Sequence, residues 1–530
     1  MIYDAATKTV VYDSPPPEFL AGVAGAKALY NGFVAAPASI DNLQMCVRLG
    51  LPVPPLIAYN YDWPRHLRLH PKPFRAQLLT ANFLTLNPRA FVLSDMGTGK
   101  TLAALWAADF VMRQHPPGEC RCLIVSKISA FDDVWRNTIF TDFLGKRDCV
   151  ILHGSEKKRL RLLQEQHDFY IINHDGLGVG AVSGRRKGVA LDGFAKALSE
   201  RSDIRITIVD ECSEYKHAGT RKNHVARAVF GAKPYVWMMT GTPTASGPVD
   251  AYGQALLVNR AWGETLTGYR SRVMQQISPF KWVPKRGAAQ EAAKMLSPSI
   301  RFSITDCQDL PPCTVQRRSA PLTSEQAKAM ERLKRDCQLQ LSGAKTIAVA
   351  NEGVLRWKLL QIASGAVYDG DHFAHHMDIA PRLKVLEEVI AEAASKFIIF
   401  APLTSTVKML YDKLSVTHSC AVIDGGVSPK ERSRIFQDFQ TTDKPQGIIA
   451  HPKTLAHSVT LTEADLIVWW APIDNTELYL QGNKRIDRPG QKRSTRVVQI
   501  VGSPIEAEIY RRLESNETMQ GLILKWAKDK

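Results

Sequence analysis

The chain has 530 residues, 45% of them hydrophobic and 23% charged, a balance that excludes a disordered polymer. No apolar run reaches the length of a membrane span, so a membrane partner is not expected. The formal charge of +16 favours a polyanionic partner, with nucleic acid first and an acidic membrane surface second. Nine cysteines are scattered without a C-x-x-C pair, and Cys120 and Cys122 stand too close for a zinc knuckle. Reduced thiols, and an N-terminus without a basic start or apolar core, predict a soluble cytosolic protein.

In chain order, residues 1–69 are proline-rich with short apolar runs, which predicts a small accessory domain. Over 70–255 the apolar runs AFVL (90–93), CLIV (122–125), FYII (169–172), ITIV (206–209) and VWMM (236–239) alternate with helical patterns. That alternation predicts a parallel sheet with crossover helices. Residues 256–380 change pattern: 324–341 and 351–363 read as amphipathic helices, and Asp309-Leu310-Pro311-Pro312 reads as a linker.

A second alternating half over 381–515 carries FIIF (397–400), CAVI (420–423), GIIA (447–450), LIVWW (466–470) and VVQIV (497–501). Within it, Ser428-Pro429-Lys430-Glu431 has the form of a capped helix start. Trp469 and Trp470 fall in a strand pattern, which predicts core packing rather than base stacking. Residues 516–530 read as a closing helix. The fold class is α/β: two parallel-sheet lobes in tandem, a helical insertion between them and a small N-terminal domain.

Ser94 to Thr101 read SDMGTGKT, directly after an apolar strand and before a helix. Gly97, Thr98, Gly99, Lys100 and Thr101 keep the end of a phosphate-binding loop, while Ser94 stands where its first glycine is usual. Glycines there let backbone N–H groups approach phosphates, the lysine neutralises them and the threonine ligates Mg²⁺. Asp210 and Glu211 follow the strand ITIV, where one carboxylate can hold Mg²⁺ and the other can orient water. Arg485 and Arg488, three apart, would share a face if their segment is helical, and could stabilise a transferred phosphate. Lying far along the second half, they could act only across a cleft between the halves, so closure would be a condition for hydrolysis.

Taken together, these motifs resemble the superfamily 2 helicase and translocase core, and more narrowly its Swi/Snf branch of duplex-DNA translocases, over about residues 70–515. PFRAQ (73–77), CLIVSKISAFDDVW (122–135), IINHDGL (171–177), VDECSEYKHAGT (209–220), TGTPTASGPVDAYGQ (240–254), IDGGVSPKERSRIFQDF (423–439) and YLQGNKRIDRPGQKRSTRVVQIV (479–501) carry the resemblance in order. It implies two RecA-like lobes, with residues 256–380 as a helical protrusion. LLQIASGAVYDGD (359–371) and LGLPVPPLIAYNYDWP (49–64) also resemble segments of short phage- or prophage-type members related to the HARP-type annealing group, and the expected location is the cytoplasm of a bacterial or phage-infected host cell.

The resemblance implies ATP and Mg²⁺ as cofactors, with Gln77 on adenine, Gln481 in the final motif beside the nucleotide, and Lys100, Asp210, Glu211, Arg485 and Arg488 as catalytic groups. It implies DNA, duplex or forked, as partner, with Thr240, Gly241, Thr242, Lys127, Asn173 and Lys216 in coupling or strand contact. Basic clusters at 157–161, 184–188 and 281–286 could add phosphate contacts or be solvated faces. Departures fall at Ser94, at Cys212 and Ser213 in place of the usual Ala-His, and at Ser458 and Thr460 in a segment usually rich in glycine. A strand-separating DNA or RNA helicase, a weakly hydrolysing nucleic-acid clamp, and a subunit of a larger machine are the alternatives.

Overall fold

The computed structural model describes residues 1–63, 73–183, 189–259, 263–278, 281–307, 310–336, 338–340, 346–348, 352–455, 460–488 and 490–528. The chain divides into two compact units, Met1–Cys307 with Met519–Lys530, and Gln308–Thr518. Among the described residues no helix is long and apolar enough to cross a membrane.

The first unit opens with an antiparallel sheet of β1 (Ile2–Asp4), β2 (Thr9–Asp13), β3 (Lys27–Ala28) and β4 (Phe33–Pro37), in the order β1-β2-β4-β3. Alternation along β2 and β4 turns Val10, Tyr12, Val34 and Ala36 inward. These residues share one apolar cluster with Leu84, Trp106 and Phe110 of the nucleotide-loop half. Tyr61 Oη donates to Asp109 Oδ2 at 2.7 Å, and Gln44 Nε2 to the Thr85 carbonyl at 2.8 Å. The N-terminal residues therefore form no separate core, and the expected boundary at 69/70 lies outside the described residues.

The main sheet of this unit contains β5 (Arg89–Val92), β6 (Arg121–Ser126), β7 (Cys149–Ile151), β8 (Phe169–Asn173), β9 (Ile204–Asp210), β10 (Tyr235–Met239) and β11 (Ser299–Ile300). Every pairing is parallel, in the order β11-β5-β10-β9-β6-β8-β7. β5, β6, β8, β9 and β10 are the five apolar runs of the sequence. Both faces are covered, by α1 (Arg75–Leu86) and α2 (Lys100–Met112) among others, so these strands read as unbroken apolar stretches. The edge strands β7 and β11, three and two residues long, are too short to leave a sequence pattern.

In the second unit, β12 (Cys313–Ser319), β13 (Lys396–Phe400), β14 (Cys420–Ile423), β15 (Gly447–Ala450), β16 (Ala464–Trp469) and β17 (Thr495–Val501) form another parallel sheet. Its order is β12-β17-β16-β13-β15-β14. β12 is an exposed edge strand of polar sequence that follows the expected linker directly, which is why periodicity missed it. The helix Pro429–Thr441 begins as expected, with Ser428 Oγ accepting from Glu431 N at 3.2 Å. Trp469 and Trp470 are fully buried, Trp469 stacking on Phe400 with centroids 4.6 Å apart.

Helices occupy the stretch between the sheets: α3 (Asp250–Val258), Leu266–Val273 and Ala288–Met295 in the first unit, Ser324–Asp336 and Glu352–Ser364 in the second. The division at Cys307 and Gln308 cuts through residues 256–380, which do not make a compact body of their own. The final helix runs Pro504–Lys528, longer than the expected 516–530, and its Ile523, Leu524 and Ala527 belong to the core of the first unit.

The second sheet is tied together at one buried cation. Arg382 donates to the carbonyls of Trp470, Ile500 and Ala363, and pairs with Glu506 at 2.7 Å. Both side chains are almost wholly removed from water, so neither charge has a substitute partner. Glu506→Ala leaves that guanidinium uncompensated and is expected to destabilise the second unit by about 3–5 kcal/mol. The check is hydrogen–deuterium exchange, in which β16 and β17 amides should lose protection before those of β6 and β9.

Candidate functional site

Between the end of β5 and the start of α2 the backbone turns tightly, with Gly97 at φ 84° and Gly99 at φ 77°. L-residues rarely hold that conformation, so these two positions require glycine. Ser94 has no such positive φ, and its replacement of the usual glycine costs the backbone nothing. A Cβ added at Gly99 would lie 2.2 Å from Gln77 Nε2, so the loop packs directly on Gln77. Gln77 is buried on α1, its Oε1 accepting from Phe74 N at 2.9 Å. The sequence-predicted neighbours, Gln77 and the loop, are thus together.

The loop holds its lysine on its own carbonyls. Lys100 Nζ donates to the Ser94 and Asp95 carbonyls at 2.7 and 2.8 Å, and Thr98 Oγ1 donates to the Asp95 carbonyl at 2.8 Å. Burial depresses the proton affinity of Lys100, and the charges of Glu211, Asp210 and Asp95 oppose that shift. Thr101, the expected Mg²⁺ ligand, is half-buried at the first turn of α2.

Two strands along, Asp210 ends β9. Its Oδ2 accepts from Ser126 Oγ at 3.0 Å and its Oδ1 from Glu211 N at 3.1 Å. Burial pushes its carboxyl up, and Lys100, Ser126 and Lys127 pull it back down. Ser126 was not singled out by its sequence; it reaches the site because β6 pairs with β9. Glu211 sits at φ 51° and ψ 53°, a left-handed conformation that costs a non-glycine residue about 1–3 kcal/mol. Its Oε2 accepts from Thr240 Oγ1 at 3.4 Å, and Thr240 Oγ1 accepts from Thr242 N at 3.1 Å.

The segment 240–243 lies against the phosphate loop, since a Cβ on Gly241 would meet the Ser94 carbonyl at 3.4 Å. Thr240 and Thr242 are buried, so their side chains face this junction rather than solvent. Cys212, where alanine is usual, supplies a link beside the missing histidine: its Sγ donates to Gln254 Oε1 at 3.2 Å, and Gln254 Nε2 donates to the Pro243 carbonyl at 2.6 Å. Gln254, on α3, closes the run 240–254, but nothing in the sequence assigns it a role of its own.

Beside the Asp-Glu turn, Glu214 lies 3.7 Å from Lys127 and 2.8 Å from Lys222, which also reaches Asp175 at 3.1 Å. Lys216 Nζ donates to Ser246 Oγ at 3.4 Å, and Asn173 ends β8 half-buried. In the 157–161 cluster Lys157, Lys158 and Arg161 are exposed, whereas Arg159 is buried on the carbonyls of Gly154 and Leu152. Lys285 and Arg286 are exposed; residues 184–188 and Ser458 lie outside the described residues.

In the second unit the helix Thr476–Asn483 stops before the arginines, so they do not share a helical face. Arg485 is buried, its Nε donating to the Gln481 carbonyl at 3.1 Å. Arg488 is partly exposed, donating to the Lys484 carbonyl at 2.9 Å and to Thr460 Oγ1 at 3.1 Å. Gln481 is buried, its Nε2 donating to Glu477 Oε1 at 3.3 Å.

Two consequences can be measured. Gly99→Ala is expected to destabilise the first unit by more than ~1 kcal/mol, because strain at positive φ adds to the collision with Gln77. Adding Gln77→Ala removes only the collision, so thermal unfolding of the double variant should show favourable coupling of about 0.5–3 kcal/mol. His174, buried against Tyr215 Oη at 3.1 Å, has its pKa lowered to about 4, by burial first. Folded His174 therefore binds a proton less readily than in the unfolded chain. Its contribution is complete above the unfolded pKa and is lost as pH falls from about 6.5 to about 4, by roughly 3 kcal/mol. Stability measured against pH should flatten over that window in His174→Gln.

Residues 85–363 match the model of the SNF2-related domain, and residues 381–490 match that of the helicase conserved C-terminal domain. Putative protein p41 of Acyrthosiphon pisum secondary endosymbiont phage 1 is 22% identical over 87% of this chain and 99% of its own length. The Xenopus tropicalis SWI/SNF-related matrix-associated actin-dependent regulator of chromatin subfamily A-like protein 1 is 20% identical over 78% of this chain. The chain spans only 40% of the length of that relative. Among solved structures, the Sulfolobus solfataricus SWI2/SNF2 ATPase core in complex with dsDNA aligns over 87% of this chain and 94% of its own, with 18% identity and a TM-score of 0.40. With the SNF2-related model covering more than half of its residues, and a helicase C-terminal match following it, this chain belongs to the SNF2-related family as a helicase-like ATPase core of two RecA-like lobes.

Proposed function

We propose that the protein hydrolyses ATP in a DNA-dependent manner and uses the cycle to move along duplex or branched DNA. The observation that carries this reading is the shared electrostatic field of Lys100, Asp210 and Glu211, set in one unit beyond the carboxyl ends of β5 and β9, which flank β10 in one parallel sheet. Left-handed glycines at 97 and 99 turn the backbone tightly into the N-terminus of α2, a geometry that fits phosphates. The Asp210 carboxyl, with the Ser126 hydroxyl at 3.0 Å and the Glu211 carboxyl on the next residue, offers the oxygen donors that fit a divalent cation.

In this reading Lys100 leaves its backbone carbonyls to neutralise the β- and γ-phosphates, and Thr101 and Asp210 hold Mg²⁺. That ion supplies charge neutralisation of the phosphates when bound. Glu211, aimed by its left-handed backbone and by Thr240, orients the attacking water. Gln77 contacts the adenine, and Gln481, Arg485 and Arg488 are the contribution of the second unit. Movement of Thr240 follows any movement of Glu211, and Cys212–Gln254–Pro243 forms a parallel connection. Lys127, Asn173, Lys216, Gly241 and Thr242 are assigned to strand contact or coupling. The net charge of +16 supports a sequence-tolerant, salt-dependent hold on the DNA backbone.

The test is the ATPase rate against duplex, single-stranded and forked DNA and RNA at fixed salt. Strong stimulation by duplex or forked DNA is expected, with Glu211→Gln losing about 10²–10⁴-fold in turnover while ATP and DNA binding persist. Arg488→Ala should lower kcat with DNA affinity retained. A pure preparation that binds ATP and DNA yet shows no stimulated hydrolysis would replace this reading with a nucleic-acid clamp.

A further inference from the structure

The stretch from β11 to Asp306 has no part in the roles above, yet it is hydrogen-bonded to Ser94 and Asp95 at the entry to the phosphate loop. β11 pairs with β5 in the register Ser299↔Phe91 and Ile300↔Val92. The ladder continues past the strand ends, with Leu93 N donating to the Ile300 carbonyl and Asp95 N to the Phe302 carbonyl, each at 2.9 Å. Side chains extend it. Phe302 N donates to Ser94 Oγ at 3.0 Å and Ile304 N to Asp95 Oδ2 at 3.1 Å. Arg301 Nη1 donates to Asp95 Oδ1 at 2.9 Å and to the carbonyls of Phe302 and Leu93 at 3.0 and 3.2 Å.

Asp95 is consequently held from two sides. Its N–H and both carboxylate oxygens belong to the 299–304 stretch, while its carbonyl receives Lys100 Nζ and Thr98 Oγ1, each at 2.8 Å. One residue joins Arg301 to the lysine that meets the phosphates. The Arg301–Asp95 pair is only 13% and 21% exposed, so it is screened less than a surface ion pair. The departure at Ser94 also gains a purpose, since glycine there has no hydroxyl to accept from Phe302.

We propose that residues 299–304 form a strap whose Arg301, acting through Asp95, positions Lys100 and the phosphate loop for the nucleotide. This rests on reading Gly97–Thr101 as a phosphate loop. Arg301 is a positioning residue and touches no substrate. Its charge also contributes to depressing the proton affinity of Lys100, in keeping with its closeness to the site. The strap ends three residues before Cys307, the last residue of the longer segment of the first unit.

The experiment titrates a fluorescent ATP analogue into full-length protein carrying Glu211→Gln, so that no turnover intervenes. Arg301→Ala should weaken nucleotide binding by about tenfold or more, with Arg301→Lys intermediate, as expected for a lost charge-assisted bond. Asp95→Ala combined with Arg301→Ala should be no weaker than the worse single variant, because the two act as one device. DNA affinity without nucleotide should not change. Nucleotide affinity within about twofold of the parent in a folded Arg301→Ala protein, or additive losses in the double variant, overturns the strap. If Arg301→Ala does not fold, Arg301→Lys decides: intermediate affinity supports the strap and unchanged affinity overturns it. A parent that binds no nucleotide sinks the phosphate-loop reading and the strap with it, whereas a parent that binds with indifferent Arg301 variants sinks the strap alone.

Discussion

The site depends on how a partly buried ammonium is compensated. Lys100 is held against the carbonyls of Ser94 and Asp95, in the field of Asp210 and Glu211, at a place where burial lowers its proton affinity. Asp210 faces the reciprocal problem, since burial favours its neutral form and only nearby cations and a hydroxyl restrain that. Each group thus lowers the cost of the other. An anionic ligand for the lysine and a divalent cation for the carboxylate would satisfy both, which is the electrostatic logic of a nucleotide site.

Holding those charges together requires backbone segments to approach closely. The phosphate loop lies on Gln77 with no room for a side chain at Gly99, and Gly241 brings 240–243 to the Ser94 carbonyl. Glu211 accepts a left-handed conformation, and the strain persists because Asp210 and Thr240 pin it. Cys212 and Gln254 add a further link in the same region: a thiol donates to an amide that in turn holds the Pro243 carbonyl.

The second unit solves a similar problem with a different pair. Arg382 gathers the carbonyls at the ends of β16 and β17, and Glu506 neutralises it in the absence of water. The polar network lies beside Trp470, whose ring packs under the guanidinium at 5.1 Å. Its cost in desolvation is met by an almost complete set of acceptors, and it fixes where the final helix begins.

Much of this was legible in the residue order, because covered parallel strands must be unbroken apolar runs and phosphate loops need glycine at fixed spacing. Ten strands, the Ser428 cap, the burial of Trp469 and Trp470, and the candidacy of Lys100, Asp210 and Glu211 follow from such local rules, while Gln77 beside the loop came from the family resemblance. Ser126 and Gln254 lie within motif runs without a role of their own and Arg301 lies in none, for each acquires its role from a neighbour 42 to 206 residues away. The edge strands β7, β11 and β12 are short or polar, and pairing with an existing sheet is what makes them strands. The arginines at 485 and 488 look equivalent in spacing, yet one is buried and the other partly exposed, because the helix ends at Asn483 and the chain turns. Local chemistry in the sequence determined which residue types could bind a nucleotide; which side chains aim and restrain them was decided only when distant strands came into register.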